Sequence, residues 1–548
     1  MKKLFLVFLL SLLASTLFPQ NSTRLFGDQK QNRTGAEGIY ALWYQGKENP
    51  DLFITQTYVT GGQMVFQWKE LEPGKGKYDF SKVAEELDRY SKMKIYTTIQ
   101  INGNLKPDWL FEEVPYHPLK FSDQIRDEKG SLMYWHPTHK DAYINMLKAF
   151  ADFLKQNENR KYLLGIRQNF NGFGTEHLIV PNQNVDLNQW VVPSKCDKSR
   201  IIEPWSKKIK EDYEEFVLDN YIKIFSGIMK IFVRNSINED LEAKYRNDFM
   251  TGTLCWFHTS SEAEPHSSGV EIQYRRFYEY CRSGKTLAYA EPWASAWGHH
   301  GGNRDHRWCS PPQWFYWTQL LNLHCGVSFI GIYSSDMQVA INGTYRSGDV
   351  DYKDDDNRNY QKEFIETILF AKKYAGFHDK PGISPGAWVA LRENDSILAD
   401  NNQHNGGHKL SFLTGDYNFL MERLTDKSYG KNVIKIGPDV QRYGAWARVL
   451  PAQEEMKFRI NTTFLESCKN QNIVVKVIYY DAKGKDFDVF LNNTPHHVQC
   501  NGQNQWKTKI IEIKNGILTA DEKQSHISIK NGSEDIYLHM VEVTRLMQ

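Results

Sequence analysis

The sequence has few cysteines, and none has the spacing that a metal site needs. There are 7 cysteines in 548 residues, scattered from Cys196 to Cys500, and no C-x-x-C pair occurs. A disulfide scaffold and a cysteine-based zinc site are therefore not expected. A single bridge between Cys468 and Cys500 is the one pairing that we consider for an oxidising compartment.

The sequence also lacks a surplus of either charge. Lys plus Arg number 67 and Asp plus Glu number 66, which gives a formal net charge of +1. No basic excess points to nucleic acid, and no acidic excess points to a cation buffer. We therefore predict neither a nucleic-acid partner nor a cofactor.

Long apolar runs do not occur after the first 20 residues, so no membrane span is predicted. Residues 1–20 combine Lys2 and Lys3 with an apolar run over 4–13, followed by small residues. This pattern is typical of a secretory signal peptide. We therefore expect an exported protein that is periplasmic or extracellular after signal-peptide cleavage.

The rest of the chain has a globular composition, with 41% hydrophobic and 24% charged residues. Residues 21–36 are polar and are predicted to form a flexible lead. Over 37–380, strand and helix patterns alternate, which favours an α/β fold, a (β/α)₈ TIM barrel. Over 381–548, short alternating runs are separated by Gly, Pro, Asn and Asp, which is typical of an all-β sandwich domain.

The number of recognisable strands is one short of the eight that this predicted barrel needs. Seven strands are recognisable before residue 375, and "GAWVALRE" at 386–393 is either the eighth or the first strand beyond the barrel. An apolar helix is predicted over 213–233. In this count the strand "TLAYAE" at 286–291 is the sixth.

Two glutamates stand where a TIM barrel places its reactive groups, after the carboxyl ends of strands. Glu291 ends "TLAYAE", and Glu176 follows "YLLGIRQNF" in a glycine-rich turn. Two carboxylates in one cleft suit glycosidic cleavage, because one donates a proton and the other attacks or activates water. The plainer interpretations are an ion-paired or helix-capping Glu291 and a solvated Glu176.

The segment "VFQWKELEPGKGKYDF" resembles the second strand and the following turn of clan A glycoside hydrolases, closest to the β-galactosidase-like families such as family 42. The residues that match the W-x-x-L-E-P-x-x-G-x-Y-D-F signature are Trp68, Leu71, Glu72, Pro73, Gly76, Tyr78, Asp79 and Phe80. The resemblance implies an acid/base glutamate after strand four and a nucleophile after strand seven. Those roles fall on Glu176 and Glu291.

The sequence departs from this family at two points. Thr175, not Asn, precedes Glu176, so we expect Asn169 and Asn171 to contact the sugar 2-hydroxyl instead. Glu291 ends the sixth recognised strand, so either a strand is hidden between residues 174 and 245 or the role assigned to Glu291 is wrong.

Several other side chains are predicted to contact sugar, because aromatic rings stack on sugar faces and polar groups bind hydroxyls. Any one of the aromatic residues is equally consistent with core packing. The predicted substrate-binding residues are Trp68, Asn169, Asn171, His177, Trp256, Trp293, Trp297, His299 and His300. The segment 298–308 also offers Arg304 and Arg307 for a sulfate, whereas its histidine spacing matches no established metal site.

The leading prediction is an exported glycoside hydrolase that cleaves a poly- or oligosaccharide, for example one of β-galactoside type, with two glutamates and a retaining mechanism. One alternative is a non-catalytic glycan-binding barrel. The other is a polysaccharide lyase that uses the region of His299 and His300. Sugar identity and oligomeric state are not predicted.

Overall fold

The computed structural model describes most of the chain after residue 34. The described residues are 35–43, 49–181, 186–197, 199, 203–258, 261–263, 273–282, 286–292, 295–297, 309–345, 358–392, 415–424, 433–521 and 524–546. The predicted signal peptide and the predicted sugar contacts Trp293, His299 and His300 lie outside them. Among the helices within these ranges, none has the length and apolarity that crossing a membrane requires.

Eight parallel strands form a closed barrel, which confirms the predicted TIM barrel. They are β1 Gly38–Leu42, β2 Gly61–Gln67, β3 Tyr96–Asn102, β4 Leu163–Arg167, β5 Lys230–Arg234, β6 Leu254–His258, β7 Ala288–Ala290 and β8 Phe329–Tyr333. Each pairs with the next along the chain, and β8 closes on β1 with Phe329 opposite Gly38. Aromatic side chains such as Tyr40, Phe232 and Tyr289 cluster together, as alternate residues of barrel strands do when they fill the interior.

Helices cover the outside of the barrel. The longer ones are α1 Ser81–Met93, α2 Pro137–Gln156, α3 Lys207–Phe225, α4 Pro311–His324, α5 Ser334–Asn342 and α6 Gln361–Tyr374. Shorter helices around the barrel include Asp51–Ile54, Trp68–Leu71, Leu110–Glu113, Glu158–Tyr162, Glu239–Lys244 and Arg246–Thr251. The helix Thr462–Ser467 belongs to the C-terminal part of the chain. The start of α1 follows from its sequence, because Asp79 Oδ1 accepts a hydrogen bond from Ser81 N at 2.9 Å.

The predicted helix over 213–233 is wrong in its second part, and this error hid a barrel strand. Helix α3 ends at Phe225, Gly227 takes a positive φ of 77°, and β5 begins at Lys230. Apolar residues continue through both elements, so periodicity alone did not separate them. With β5 counted, Glu291 follows the seventh strand and Glu176 follows the fourth, as the family resemblance implies.

Two antiparallel sheets follow the barrel, which confirms the predicted sandwich. Their strands are β9 Gly386–Ala390, β10 Tyr417–Phe419, β11 Met421–Leu424, β12 Val433–Ile434, β13 Ala447–Leu450, β14 Glu455–Ile460, β15 Ile473–Tyr480, β16 Phe487–Leu491, β17 Thr494–Val498, β18 Trp506–Ile513, β19 Ile527–Asn531 and β20 Ile536–Arg545. One sheet contains β9, β10, β12, β13, β15, β18 and β20, and the other contains β11, β14, β16, β17 and β19. Residues of both sheets share one apolar core. Strand β9 pairs antiparallel with β20 and is therefore the first strand beyond the barrel.

The one bridge that the sequence analysis considered, between Cys468 and Cys500, is not formed. All seven cysteines are buried free thiols. Cys468 and Cys500 both belong to the apolar core of the sandwich, where a free cysteine packs as a small apolar side chain.

Candidate active site

Glu291 lies at the end of β7 and contacts an arginine at the end of β4. Arg167 Nη1 donates a hydrogen bond to Glu291 Oε1, and Gln63 Nε2 approaches the same oxygen at 3.4 Å. The backbone N–H of Glu291 donates to His258 O at 2.7 Å, which fixes the residue beside the end of β6. Arg167 and Glu291 are both buried, so each charge would be strongly destabilising without the other.

Glu176 lies in the turn after β4 and is surrounded by basic side chains. Arg234 Nη1, at the end of β5, donates to Glu176 Oε1 at 3.3 Å. His177 Nδ1 lies 3.5 Å from the same oxygen, and Arg167 Nη2 lies 3.9 Å from Oε2. The Thr175 hydroxyl also donates to Oε2. One guanidinium, that of Arg167, therefore joins the two predicted catalytic carboxylates.

These contacts determine the charge of Glu176. Burial on its own raises the pKa of Glu176, but the His177 ring and the charges of Arg167 and Arg234 hold this pKa well below its ordinary value. Glu176 is therefore ionised in this arrangement. A general acid must be protonated before the reaction begins, and Glu176 in this arrangement is not.

The sequence prediction did not include Arg167 or Arg234. Both are the last residues of barrel strands, the position at which we searched for acids, histidines and lysines. The signal for Arg167 is a single charge at the end of an otherwise apolar strand, since a buried charge must be paired. Arg234 carried no such signal, because β5 was predicted as part of a helix.

The predicted sugar contacts Asn169 and Asn171 are buried and hydrogen-bonded within the protein. Asn171 Oδ1 accepts from Gly103 N at 2.7 Å, and its Nδ2 donates to Ile101 O at 2.9 Å. Asn169 Oδ1 accepts from Arg167 Nε at 3.3 Å. Asn171 thus connects the loops after β3 and β4, and Asn169 orients the arginine between the carboxylates.

Two of the predicted stacking tryptophans, Trp68 and Trp256, are fully buried. Trp68 packs against α2, with its ring centre 5.0 Å from that of Tyr143. Trp256 stacks on Phe249 at 3.8 Å. The structure therefore places both rings in the core, where they cannot stack on a sugar.

The other predicted contacts that the structure describes are close to the glutamates in sequence and in space. The His177 side chain is 44% exposed beside Glu176. Trp297 is 2% exposed and follows Glu291 in the loop after β7. The neighbouring Ala296 N donates to Asp336 Oδ2 of α5 at 3.0 Å, which ties this loop to the element after β8.

The family signature has a structural role. Trp68 Nε1 donates to Glu72 Oε2 at 2.8 Å, and Glu72 Oε1 accepts from Gly76 N at 3.0 Å. Gly76 has φ +65°, which glycine adopts without strain. These bonds fold the turn between β2 and α1, so the signature predicts the local fold and does not itself supply the reactive groups.

A buried lysine supports the loop that carries Glu176. Lys106 Nζ donates to Gly103 O at 2.7 Å and to Gly172 O at 3.2 Å. Burial lowers the pKa of Lys106 to about 8, although the charge of Asp127 opposes this shift. Lys106 therefore joins the loop after β3 to the turn that leads to Glu176.

Part of the chain is similar to known proteins. The β-galactosidase model of glycoside hydrolase family 42 matches residues 57–177, which include Arg167 and Glu176 but not Glu291. The β-galactosidase BbgII of Bifidobacterium bifidum is 26% identical over 140 residues, which is 22% of this chain and 20% of that protein. The chain thus matches about a fifth of the length of this curated relative.

The solved structures that are similar to this chain include two glycosidases. A GH5-4 broad-specificity endoglucanase from an uncultured bacterium covers 62% of this chain and 94% of its own, with 12% identity and a TM-score of 0.37. The cold-adapted β-galactosidase of Rahnella sp. R3 covers 54% of this chain and 50% of its own, with 13% identity and a TM-score of 0.35.

The closed barrel and the family match over residues 57–177 together make this chain similar to the TIM-barrel glycosidases. Within that class, the chain resembles the β-galactosidase-like clan A glycoside hydrolases. The family match confirms the resemblance predicted from Trp68 to Phe80.

Proposed function

We propose that this protein is an exported glycoside hydrolase that cleaves O-glycosidic bonds of a poly- or oligosaccharide, with Glu291 as nucleophile and Glu176 as acid/base. The observation that carries the proposal is the guanidinium of Arg167, which contacts Glu291 after β7 and lies beside Glu176 after β4. The proposal of export rests on the signal-peptide pattern of residues 1–20.

The environment of Glu291 suits a nucleophile. A nucleophilic carboxylate must be ionised and held in one orientation before it attacks the anomeric carbon. Arg167 supplies a positive charge, and both Arg167 and Gln63 contact the same oxygen. The reaction then forms a covalent glycosyl-enzyme intermediate, which water hydrolyses with retention of configuration.

Glu176 acts on the leaving oxygen in this proposal. It donates a proton as the glycosidic bond breaks, and it then accepts a proton from the attacking water. Paired carboxyls about 5–5.5 Å apart give retention, whereas about 6.5–9.5 Å gives inversion. We favour retention because the family resemblance assigns to Glu291 the role of a nucleophile.

The function is tested by Glu291→Gln, with Glu158→Gln as its control. Glu158 is exposed in the short helix before β4, at the opposite end of the barrel. On aryl glycosides, galactans, mannans and sulfated glycans, we expect Glu291→Gln to lose at least about 10³-fold in kcat/KM. Glu158→Gln should retain wild-type activity. Full turnover by Glu291→Gln would contradict the proposal.

The same variants separate the two alternatives. A glycan-binding barrel without catalysis predicts that wild type binds sugar but cleaves none of these substrates. A lyase predicts unsaturated products and turnover that persists in Glu291→Gln. The contacts of Arg167 with both carboxylates favour hydrolysis over the first alternative.

A further inference from the structure

Three basic side chains converge on one carboxylate in the mouth of the barrel. Arg234, His177 and Arg167 have nitrogen atoms 3.3 Å, 3.5 Å and 3.9 Å from Glu176. Arg167 is also bonded to Glu291, and Arg234 Nε also donates to the Ser236 hydroxyl at 3.0 Å. The positive charges of Arg234 and Arg167 favour the ionised carboxylate, and a general acid needs the protonated one.

The three basic groups differ in how a substrate can reach them. The Arg167 side chain is 8% exposed, whereas those of Arg234 and His177 are 19% and 44% exposed. Arg234 and His177 therefore face the mouth of the barrel, and Arg167 lies behind them. A carboxylate or sulfate that enters the mouth meets Arg234 and His177 first, and arginine binds such groups with paired, charge-assisted hydrogen bonds.

We propose that the substrate is an acidic glycan, with a carboxylate or sulfate on the sugar beside the scissile bond. This anion binds Arg234 and His177 in place of Glu176, which then takes up a proton and becomes the general acid. The inference rests on the glycoside hydrolase function proposed above. A neutral sugar brings no charge that could take these two partners from Glu176.

The proton and the bonds balance in this scheme. Glu176 takes one proton from solvent when the anionic sugar binds. The bond from the anomeric carbon to the leaving oxygen breaks, the electron pair stays on that oxygen, and the oxygen takes the proton of Glu176. A bond from Glu291 to the anomeric carbon forms in the same step. Water then replaces Glu291 and returns a proton to Glu176.

The test compares neutral and acidic sugars with two kinds of leaving group. The substrates are aryl hexosides and the matching hexuronides and 6-sulfated hexosides, each with a 2,4-dinitrophenyl or a 4-methoxyphenyl group. 2,4-Dinitrophenolate leaves without a proton, so it bypasses the general acid. We expect 2,4-dinitrophenyl hexosides and 2,4-dinitrophenyl hexuronides to be cleaved at rates that differ by less than about tenfold. With 4-methoxyphenyl, an acidic sugar should be cleaved more than about tenfold faster than the hexoside.

The outcomes separate this inference from the proposed function. Equal cleavage of neutral and acidic 4-methoxyphenyl substrates would overturn the inference and leave the hydrolase function intact. No cleavage of any 2,4-dinitrophenyl glycoside would overturn both. A preference for the hexuronide or for the 6-sulfated hexoside identifies which anion the site binds.

Arg234→Gln provides the matched variant. It removes one positive charge beside Glu176, which makes protonation of Glu176 easier. It also removes the main partner of the substrate anion, which weakens the binding of acidic substrates. The rate on acidic 4-methoxyphenyl substrates relative to neutral ones should fall at least about tenfold. An equal loss on both would contradict the inference. Arg160→Gln, at an exposed position near the opposite end of the barrel, serves as control, and His177→Gln repeats the test if Arg234→Gln does not fold.

Discussion

At the scale of single residues, arginines define the site as much as the glutamates do. Glu291 and Glu176 could be predicted because an acid after a barrel strand is a recognisable pattern. Their charge states could not be predicted, because these depend on arginines that are distant along the chain. Arg167 is 124 positions from Glu291, and Arg234 is 58 positions from Glu176. Only the closed barrel brings these groups together.

Arg167→Met should change how activity depends on pH. Methionine has a similar length but no charge, so the pKa of Glu176 should rise and both limbs of the pH–rate profile should move to higher pH. We expect kcat/KM at neutral pH to fall about 10²-fold or more, because Glu291 loses its bonded cation. The measurement is kcat/KM from pH 4 to 9 on a 4-methoxyphenyl glycoside, whose departure needs the proton of Glu176, with Arg246→Met as control. An unshifted profile would show that Arg167 has no electrostatic role.

At the scale of elements, the fold was largely predictable and one boundary was not. The alternation of strands and helices predicted the barrel, and the dense turn residues after 381 predicted the sandwich. The prediction missed β5, because "YIKIFSGIMKIFVR" is apolar throughout and satisfies both a helical and a strand pattern. The Ser226–Gly227 break was the available signal, since glycine with positive φ commonly follows the end of a helix.

The turn formed by the family signature leads to a prediction about the stability of the protein. Trp68→Phe keeps an aromatic ring in the core but removes the hydrogen bond to the buried Glu72. We expect the free energy of unfolding to fall by about 1–3 kcal/mol in urea denaturation. KM should stay within about twofold of wild type, because Trp68 lies in the core. A KM that rises about tenfold at unchanged stability would instead support the sugar-stacking role predicted from sequence.

At the scale of the whole molecule, the barrel and the sheets share an aromatic junction. His539 of β20 packs against Tyr316 and Trp317 of α4, with ring centres 5.4 Å and 5.3 Å apart. His324, the last residue of α4, lies over Tyr417 of β10 at 5.2 Å. Burial lowers the pKa of both histidines to about 3, so both are neutral in the folded protein.

This junction should make the protein sensitive to acid. The unfolded chain binds protons at histidine near the ordinary pKa of about 6.5, whereas the folded chain does not, so stability is lost as pH falls from about 6.5 towards 3. Each histidine contributes a loss of about 3 kcal/mol at pH 4. His539→Phe keeps the packing and removes one of these protons. Urea midpoints at pH 7 and pH 4 should therefore differ less in His539→Phe than in wild type, and parallel shifts in the two proteins would contradict this account.

The central claim, that Glu291 is the nucleophile of a retaining glycosidase, is tested most directly by covalent trapping. Wild type is incubated with 2,4-dinitrophenyl 2-deoxy-2-fluoroglycosides of neutral and acidic sugars, digested with trypsin and measured by mass spectrometry. We predict one added fluoroglycosyl group on the peptide 286–304, located at Glu291. A label on any other carboxylate, or turnover of the parent glycosides with inversion and no label, would contradict the claim.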